Sequence, residues 1–289
     1  MIPIPCQELA TKKTDVFLKF PQFVSDHLLQ RSFYMFIKIL KICNSLLKFD
    51  QFFKSCVKNH KKEVIALNSP LTPQSLFDLE HTDAKELLLS VSYPWEILPK
   101  LKDFIRSLQK TLDKNEYREV SDGVFIHKTA SVAPSAVIDG PTVIGDGTEV
   151  RPGAFIRGST LIGKGCVIGN STEIKNAVIS DGVQIPHYNY VGDSILGYQS
   201  HMGAGSIASN FRSDKGNITV HGERDIETGL RKLGVMLGDF AEVGCNSVLC
   251  PGSVVGRNSI VYPLSRVRGV LPENVILKDG GRIVKREER

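Results

Sequence analysis

One histidine and two tyrosines interrupt a run of small and aliphatic residues in the segment QIPHYNYVGDS, residues 184–194. An imidazole can take a proton from an amine near neutral pH, and a tyrosine hydroxyl can orient a polar substrate. His187 and Tyr190 are therefore candidates for an acid–base centre and its positioning group. The segment leads directly into a long non-repeating stretch, residues 203–234, and loops held by a rigid scaffold frequently carry function.

The elements that must position these residues are indicated by a period of six. Aliphatic residues recur at this interval in two arrays, which are Ile126, Val132, Ile138, Ile144, Val150, Ile156, Ile162, Ile168 and Ile174, and then Leu237, Val243, Leu249, Val255, Val261 and Val267. A small residue stands two places before almost every one of them. This period suits a chain that turns a corner after each short strand, with three faces to a coil. The sequence therefore predicts a mainly β fold, a parallel β-helix of hexapeptide repeats with inward-pointing aliphatic residues.

The region between the two arrays keeps the period only in part. It continues through Ile179, Ile185, Val191, Leu196 and Met202, with shortened five-residue steps at 174–179 and 191–196. After Met202 the pattern breaks. We therefore predict a β-helix domain at residues 120–272 with a loop insertion at 203–236, followed by a C-terminal tail at 273–289.

An α-helical N-terminal region is predicted before the β-helix. Residues 1–65 are interpreted as a basic amphipathic leader, since residues 1–62 carry 11 Lys and Arg against 4 Asp and Glu. Packing of this leader on the body is favoured over weak contact with a membrane surface or another protein. Residues 66–119 are predicted to form a small helical module in which Pro73 and Pro94 begin helices and Trp95 is a core or docking residue.

Composition limits the functions that remain. A hydrophobic fraction of 42% and a charged fraction of 23% are typical of a soluble globular protein. The excess positive charge lies in the leader, so no nucleic-acid partner is expected for the larger domain. Six cysteines without a CxxC pair favour reduced thiols in the cytoplasm, and no metal site is expected.

Five stretches of the repeat region carry a more specific pattern. They are RPGA (151–154), GNSTEIKNA (169–177), PHYNYVGDS (186–194), MGAGSIASNF (202–211) and LRKLGVMLGDFAEVG (230–244). Together they resemble the acetyltransferase half of the bifunctional glucosamine-1-phosphate N-acetyltransferase/UDP-N-acetylglucosamine pyrophosphorylase family, including its archaeal sugar-1-phosphate relatives. The resemblance covers roughly residues 125–270. The first 120 residues contain no glycine-rich phosphate-binding turn, so the pyrophosphorylase half is absent and uridylyl transfer is not expected.

The resemblance implies a left-handed prism, a homotrimer with active sites between neighbouring prisms, and acetyl-CoA as cosubstrate. The implied reaction is acyl transfer to the amine of an amino-sugar phosphate, such as glucosamine-1-phosphate, or of a nucleotide amino-sugar. The implied site residues are His187 as general base with Asn210 in the catalytic set, Arg151, Lys175, Tyr190 and His201 at the substrate, and Ala204 and Cys245 at the cofactor.

The residue types fit this chemistry on their own terms. A phosphate held by Arg151 and Lys175 would gain charge-assisted hydrogen bonds. A thioester oxygen needs donors as it becomes an oxyanion, and exposed amides in GAGS, residues 203–206, are candidates for that role.

Four departures from the family pattern leave the acceptor sugar open, and one of them is that residues 213–234 are longer than the loop of the bacterial acetyltransferases. Pro186 stands where the family usually has glycine, His201 where it has asparagine, and Phe211 where it has tyrosine. Two other functions remain as alternatives. One is a non-enzymatic trimeric assembly module whose leader binds a partner. The other is a metal-dependent lyase of the carbonic anhydrase kind, in which His187, His201 and His221 would have to meet on one zinc ion.

Overall fold

The structure of the chain, a computed structural model, describes residues 71–287. The predicted leader at residues 1–65 lies outside these residues, as do the first positions of the predicted helical module. Within residues 71–287, no helix is both long enough and apolar enough to cross a membrane.

Short helices occupy the first part of the described chain. The Thr72 side chain caps the first of them by accepting the Ser75 amide, and Pro73 follows in the first turn, where a missing N–H costs nothing. Pro94 begins a 3₁₀ helix in the same way. The helices are α1 (Pro73–Leu76), α2 (Lys85–Leu89) and α3 (Leu101–Gln109), with 3₁₀ helices at Leu79–His81, Pro94–Lys100 and Asp279–Gly281.

Three parallel ladders then form the faces of a prism. The first face contains β2 (Val124–His127), β5 (Thr142–Ile144), β8 (Thr160–Ile162), the C-terminal parts of β10 (Glu173–Ile179) and β12 (Tyr190–Leu196), β17 (Val235–Leu237), β20 (Ser253–Val255) and β23 (Val270–Leu271). The second contains β3 (Ser131–Val132), β6 (Glu149–Val150), β9 (Val167–Asn170), β11 (Gln184–His187), β13 (His201–Met202), β18 (Glu242–Val243), β21 (Ile260–Val261) and β24 (Val275–Leu277). The third contains β4 (Val137–Ile138), β7 (Phe155–Ile156), the N-terminal parts of β10 and β12, β14 (Ile207–Ala208), β19 (Val248–Leu249) and β22 (Arg266–Val267).

Three antiparallel strand pairs are added to the prism. β1 (Tyr117–Ser121) pairs antiparallel with β2, and β25 (Ile283–Lys285) pairs antiparallel with β24. β15 (Thr219–His221) and β16 (Asp225–Glu227) form a hairpin inside the insertion. The predicted left-handed β-helix of hexapeptide repeats is confirmed.

The prism interior is filled by the aliphatic residues of the six-residue period. All fifteen members of the two arrays belong to one hydrophobic core, with Val132 and Ile138 partly buried at its end. Most of the small residues that precede them are buried, and hydroxyl groups among them bond to the backbone. The Thr148 hydroxyl, for example, donates to the Gly163 carbonyl at 2.8 Å and accepts the Cys166 amide at 3.0 Å. Both expectations from the period are therefore met.

The outside of the first face is also apolar, and the same chain covers it. The middle residues of its strands point outward and are buried in a second hydrophobic cluster; they include Val143, Leu161, Val178, Ile195, Met236 and Val254. Trp95, Ile97 and Leu101 of the helical module belong to this cluster, and so do Ile218, just before the hairpin, and Val220 within it. Trp95 is 1% exposed, as expected of a docking residue. The module and the insertion therefore leave the second and third faces as the open sides of the prism.

The prism differs in extent from the boundaries expected from the sequence. Residues 203–208 continue the second and third faces, so the irregular part of the insertion begins after β14. At the other end β24 extends the second face through Leu277, which falls six residues after Leu271 and fills the last interior position. The segment predicted as a tail therefore begins with a strand of the prism.

Candidate functional site

His187 lies at the end of β11, on the edge where the second face turns into the third. Its backbone is fixed from both sides, because its amide donates to the Asn189 side chain at 3.1 Å and its carbonyl accepts the Gly205 amide at 3.0 Å. The residue itself is exposed. The ring has no hydrogen bond or ion pair with any residue from 71 to 287. A rigid backbone therefore presents a free imidazole at the prism surface.

The edge that carries His187, here called the His187 edge, brings together four of the predicted site residues. Backbone bonds join successive coils along it, from Ser171 to Pro152, from Tyr188 to Asn170, from Gly205 to His187 and from Asn246 to Ala204. Arg151, His187, Ala204 and Cys245 therefore stand in line. Coils stack about 4.8 Å apart, so Ala204 is one coil from His187, while Arg151 is two coils away on the other side, roughly 10 Å.

The amides next to His187 are mostly occupied. Gly203, Gly205 and Ser206 donate to backbone carbonyls at 2.7–3.1 Å. The Ala204 amide has no acceptor within the described residues. Of the GAGS amides expected to serve an oxyanion, Ala204 is therefore the one still available as a donor.

Arg151 on this edge and His201 beside it differ in charge: one is paired with a carboxylate and the other favours its neutral form. The Arg151 guanidinium is already bonded to both carboxylate oxygens of Glu149, at 3.2 and 3.1 Å. His201 lies on the second face, in register with Gln184 and Glu242. Burial lowers the pKa of His201, an effect that Glu242 opposes and the nearby His187 reinforces. A lowered pKa favours the neutral ring, so His201 can accept as well as donate a hydrogen bond.

The opposite edge of the third face, here called the Asp193 edge, holds a buried polar cluster. Asp193 accepts the side-chain amides of Asn176 at 2.7 Å and Asn210 at 2.5 Å, and its carboxylate is 3.7 Å from the Lys175 ammonium. The Asp193 side chain is 7% exposed. The structure therefore brings Lys175, predicted at the substrate, and Asn210, predicted in the catalytic set, together around a carboxylate that sequence reasoning did not single out.

Tyr190 lies between the two edges, on the outside of the third face. Its hydroxyl and the Asn210 amide both approach Gly192, where a Cβ would meet them at 2.5 and 2.6 Å. Burial raises the pKa of Tyr190, and the negative charges of Asp193 and Glu173 add to this effect. Tyr190 is therefore a neutral hydroxyl that can donate to a ligand.

The signal that marks the Asp193 edge is the pair of five-residue steps. In β10 and β12 the chain passes from the third face to the first in a single continuous strand, with one residue fewer at the corner. Asn176 and Asp193 occupy these corners with φ of 47° and 50°. Asn and Asp tolerate the left-handed region better than most residues, and their side chains here meet across adjacent coils.

We expect Asp193→Asn to lower the free energy of unfolding by about 2–3 kcal/mol, because two amide donors and an ammonium lose a buried charged acceptor. The substitution keeps the size and the tolerance for positive φ, so the charge is the main change. Urea denaturation should show a lower midpoint with an unchanged m-value. The control is Asp214→Asn, since Asp214 pairs with Arg212 in an exposed position and its loss should leave the midpoint in place. Equal midpoints for Asp193→Asn and wild type would contradict the role of the cluster.

The three histidines of the metal alternative are not collected at one place in this chain. His221 lies in the hairpin and contacts Asp225 at 3.0 Å and Arg268 at 3.3 Å. Among residues 71–287 no group of three or more His, Cys, Asp or Glu side chains is arranged to hold a metal ion.

Comparisons with known proteins place relatives of the chain among sugar-phosphate enzymes. The family model of the GMPPB C-terminal domain matches residues 140–229, which comprise coils of the prism and most of the insertion. The bifunctional protein GlmU of Methanococcus maripaludis is 30% identical over 218 residues, 70% of this chain and 53% of the relative. A bifunctional sugar-1-phosphate nucleotidylyltransferase/acetyltransferase of Sulfurisphaera tokodaii is 40% identical over 98 residues, 33% of this chain and 24% of the relative.

Among solved structures, a hexapeptide transferase family protein from Anaplasma phagocytophilum aligns with 57% of this chain and 81% of its own, at 20% identity and a TM-score of 0.33. The chain spans about half the length of the first of the curated relatives it matches. The resemblance found in the sequence motifs is confirmed: this chain is a homologue of the GlmU and sugar-1-phosphate nucleotidylyltransferase/acetyltransferase proteins.

Proposed function

We propose that this chain is an acetyl-CoA-dependent N-acyltransferase that acts on an amino-sugar phosphate or a nucleotide amino-sugar. The name of one relative, a sugar-1-phosphate nucleotidylyltransferase/acetyltransferase, supports the reaction, and its 98 aligned residues cover 33% of this chain. Glucosamine-1-phosphate is the simplest acceptor of this class. The described thiols of Cys166, Cys245 and Cys250 are free, which is consistent with a cytoplasmic location.

The observation that carries this proposal is the arrangement on both sides of the third face. A free imidazole stands on the His187 edge, a charged polar cluster stands on the Asp193 edge, and Tyr190 lies between them. His187, Lys175, Asn176 and Asp193 come from the coils of β10 to β12, and Asn210 follows β14 on the next coil; the prism core holds these coils rigid. A surface with the sole role of stacking coils would not require an imidazole, a charged cluster and a tyrosine.

In the proposed reaction His187 acts as general base. The acceptor amine attacks the thioester carbonyl, His187 takes the proton from the nitrogen, a C–N bond forms and the C–S bond breaks. The leaving thiolate takes up a proton. The amide of Ala204, one coil from His187, is placed to donate to the carbonyl oxygen as it gains negative charge. Cys245, on the following coil, extends the same edge toward the remainder of the cosubstrate.

The acceptor is assigned to the Asp193 edge and to Tyr190. Lys175 offers a cation for its phosphate, and the Tyr190 hydroxyl and the Asn210 amide offer donors for its ring oxygens. In one protomer Arg151 stands on the other edge and is paired with Glu149. Its proposed part in phosphate binding therefore requires a neighbouring copy.

The proposed assembly is a homotrimer with sites between neighbouring prisms. The third face supports this, because it remains uncovered and its outward residues are largely apolar. Val137 is 55% exposed, Phe155 37% and Val248 40%. Neighbouring prisms packed along this face would place the Arg151 of one copy near the Lys175 of another.

The test is a melting-temperature screen of the full chain with acetyl-CoA, glucosamine-1-phosphate and nucleotide amino-sugars, followed by turnover assays on the ligands that bind. A ligand that binds only the folded form raises the melting temperature, by the equivalent of about 2.7 kcal/mol at a hundredfold excess over Kd. Light scattering on the same sample should give the mass of three chains. Absence of acetyl-CoA binding, or binding without transfer to any amino-sugar, would refute the proposed function.

A further inference from the structure

A cavity of about 490 Å³ opens beside the Asp193 edge. Three separate parts of the chain line it. The helical module contributes Leu98 and Pro99, and the insertion contributes Phe211, Leu230 and Arg231. The prism contributes Asp193, at the Asp193 edge. The cavity is therefore not a product of the prism alone, because its outer wall exists only where the module and the insertion meet.

The outer wall of this cavity is apolar. Pro99 is exposed, Leu230 is partly exposed and the Phe211 side chain is 41% exposed. On the same rim the Arg231 guanidinium makes no ion pair with any carboxylate of the described residues. The cavity thus combines the apolar side chains of Pro99, Phe211 and Leu230 with two cations, Arg231 and Lys232, that form no ion pair within residues 71–287. Asn176 and Asp193, from the polar cluster to which we assign the acceptor, complete the lining.

The wall is held in place before any ligand arrives. Leu98 is 4% exposed and packs in the second hydrophobic cluster with Trp95 and Ile97, so the 3₁₀ helix that carries Pro99 is fixed to the first face. The insertion is tied down independently. The Leu230 carbonyl accepts the Ile218 amide at 2.8 Å. A surface held this firmly selects ligands by shape rather than adapting to them.

We propose that Pro99, with Leu98, Phe211 and Leu230, forms a specificity wall that selects an amino-sugar phosphate with a deoxygenated ring carbon facing it, while Arg231 pairs with the phosphate. This rests on the function proposed above and goes beyond it, because it names the kind of acceptor. A sugar hydroxyl turned toward the wall gives up its hydrogen bonds to water and finds no partner, so the hydroxylated acceptor is disfavoured. Discrimination between acceptors that differ by one small group in an apolar pocket reaches about 10- to 200-fold.

The test uses glucosamine-1-phosphate and its 3-, 4- and 6-deoxy analogues as probes on the full chain. Calorimetry gives Kd for each probe without acetyl-CoA, and turnover gives kcat and KM with acetyl-CoA present. We expect one deoxy analogue to bind at least about tenfold more tightly than the parent sugar. Pro99→Asp should abolish that preference, and it should raise acceptor KM more than it lowers kcat because the added charge also repels the phosphate.

Two further variants keep the test interpretable. Pro99→Ser adds a polar group without charge and should reduce the preference in the same direction. Lys100→Gln is the matched control: it makes the same change in charge as Pro99→Asp at the next position, which does not line the cavity, and should keep the preference. Acetyl-CoA Kd and the melting temperature, unchanged in all three, show that the fold is intact.

The outcomes separate this inference from the proposed function. Deoxy-selective binding that Pro99→Asp removes, in a protein that transfers no acyl group, would support the wall and refute the transferase. Turnover in a protein that binds all four probes equally, or whose preference survives both Pro99 variants, would overturn the wall and leave the transferase standing. Loss of the preference in Lys100→Gln would also overturn it.

Discussion

His187→Ala is expected to lower kcat/KM for acyl transfer by about 10²- to 10⁴-fold, the range typical of the loss of a general base. The effect should fall on kcat, because the imidazole acts on the amine proton in the transition state. The melting temperature of the variant should stay at the wild-type value. The ring bonds to no residue between 71 and 287, and the hydrogen bonds that hold this position are made by its backbone, which alanine retains.

The measurement is a steady-state assay with acetyl-CoA and the acceptor found in the binding screen, together with a melting curve of each variant. His221→Ala is the control, since it removes a partly exposed imidazole from the hairpin, where it contacts Asp225 and Arg268. We expect the control to keep wild-type turnover. Undiminished turnover in His187→Ala, with the fold intact, would exclude His187 as the base.

The prism was predictable because the residue types that its coils require repeat at a fixed interval in the sequence. An aliphatic residue at every sixth position has to face one interior, and a small residue two places earlier has to fit a corner. The same logic made His187 a candidate site residue, since a polar aromatic segment is not required for stacking short strands, and its role stays a prediction. These features depend only on local spacing, which the sequence displays directly.

The covering of the first face could not be predicted in the same way. Its strands show two adjacent apolar residues, as in Leu161–Ile162 and Ile195–Leu196, so one of each pair must point outward. The sequence does not say what buries that outward residue. A second copy of the prism would bury that residue as well as the helical module does. Only the docking of Trp95 and its neighbours on this face distinguishes the two solutions.

Two members of the polar cluster, Asn176 and Asp193, were missed for a related reason. Asp193 lies 17 residues after Asn176 and follows the adjacent Lys175 by one more, which in a prism means one coil away at the same corner. The shortened steps were visible as irregularities of the period. Their meaning, that a tighter corner directs side chains from adjacent coils toward each other, requires the geometry of the corner itself.

Gly169→Ala is expected to destabilise the protein by about 4 kcal/mol or more, the range reserved for severe disruption of packed structure. Gly169 lies in β9 directly next to Pro186 of β11, between the paired positions Ile168–Ile185 and Asn170–His187. A Cβ here would fall inside the van der Waals radii of the Pro186 carbonyl and Cα atoms. These are backbone atoms of a neighbouring coil, so relief requires the two coils to part, and no side-chain rotation can provide it.

The pairing of Gly169 with Pro186 also links the expected loss to the site, because Pro186 immediately precedes His187. Any protein that still folds should hold the imidazole displaced and show reduced turnover. Gly165→Ala is the matched control on the same coil. Its Cβ would meet nothing within 4 Å, so it should cost only the roughly 1–2 kcal/mol of a left-handed backbone at φ +60°. The contradicting result would be a lower urea midpoint for Gly165→Ala than for Gly169→Ala. It would show that the close approach of β9 and β11 is not what positions His187.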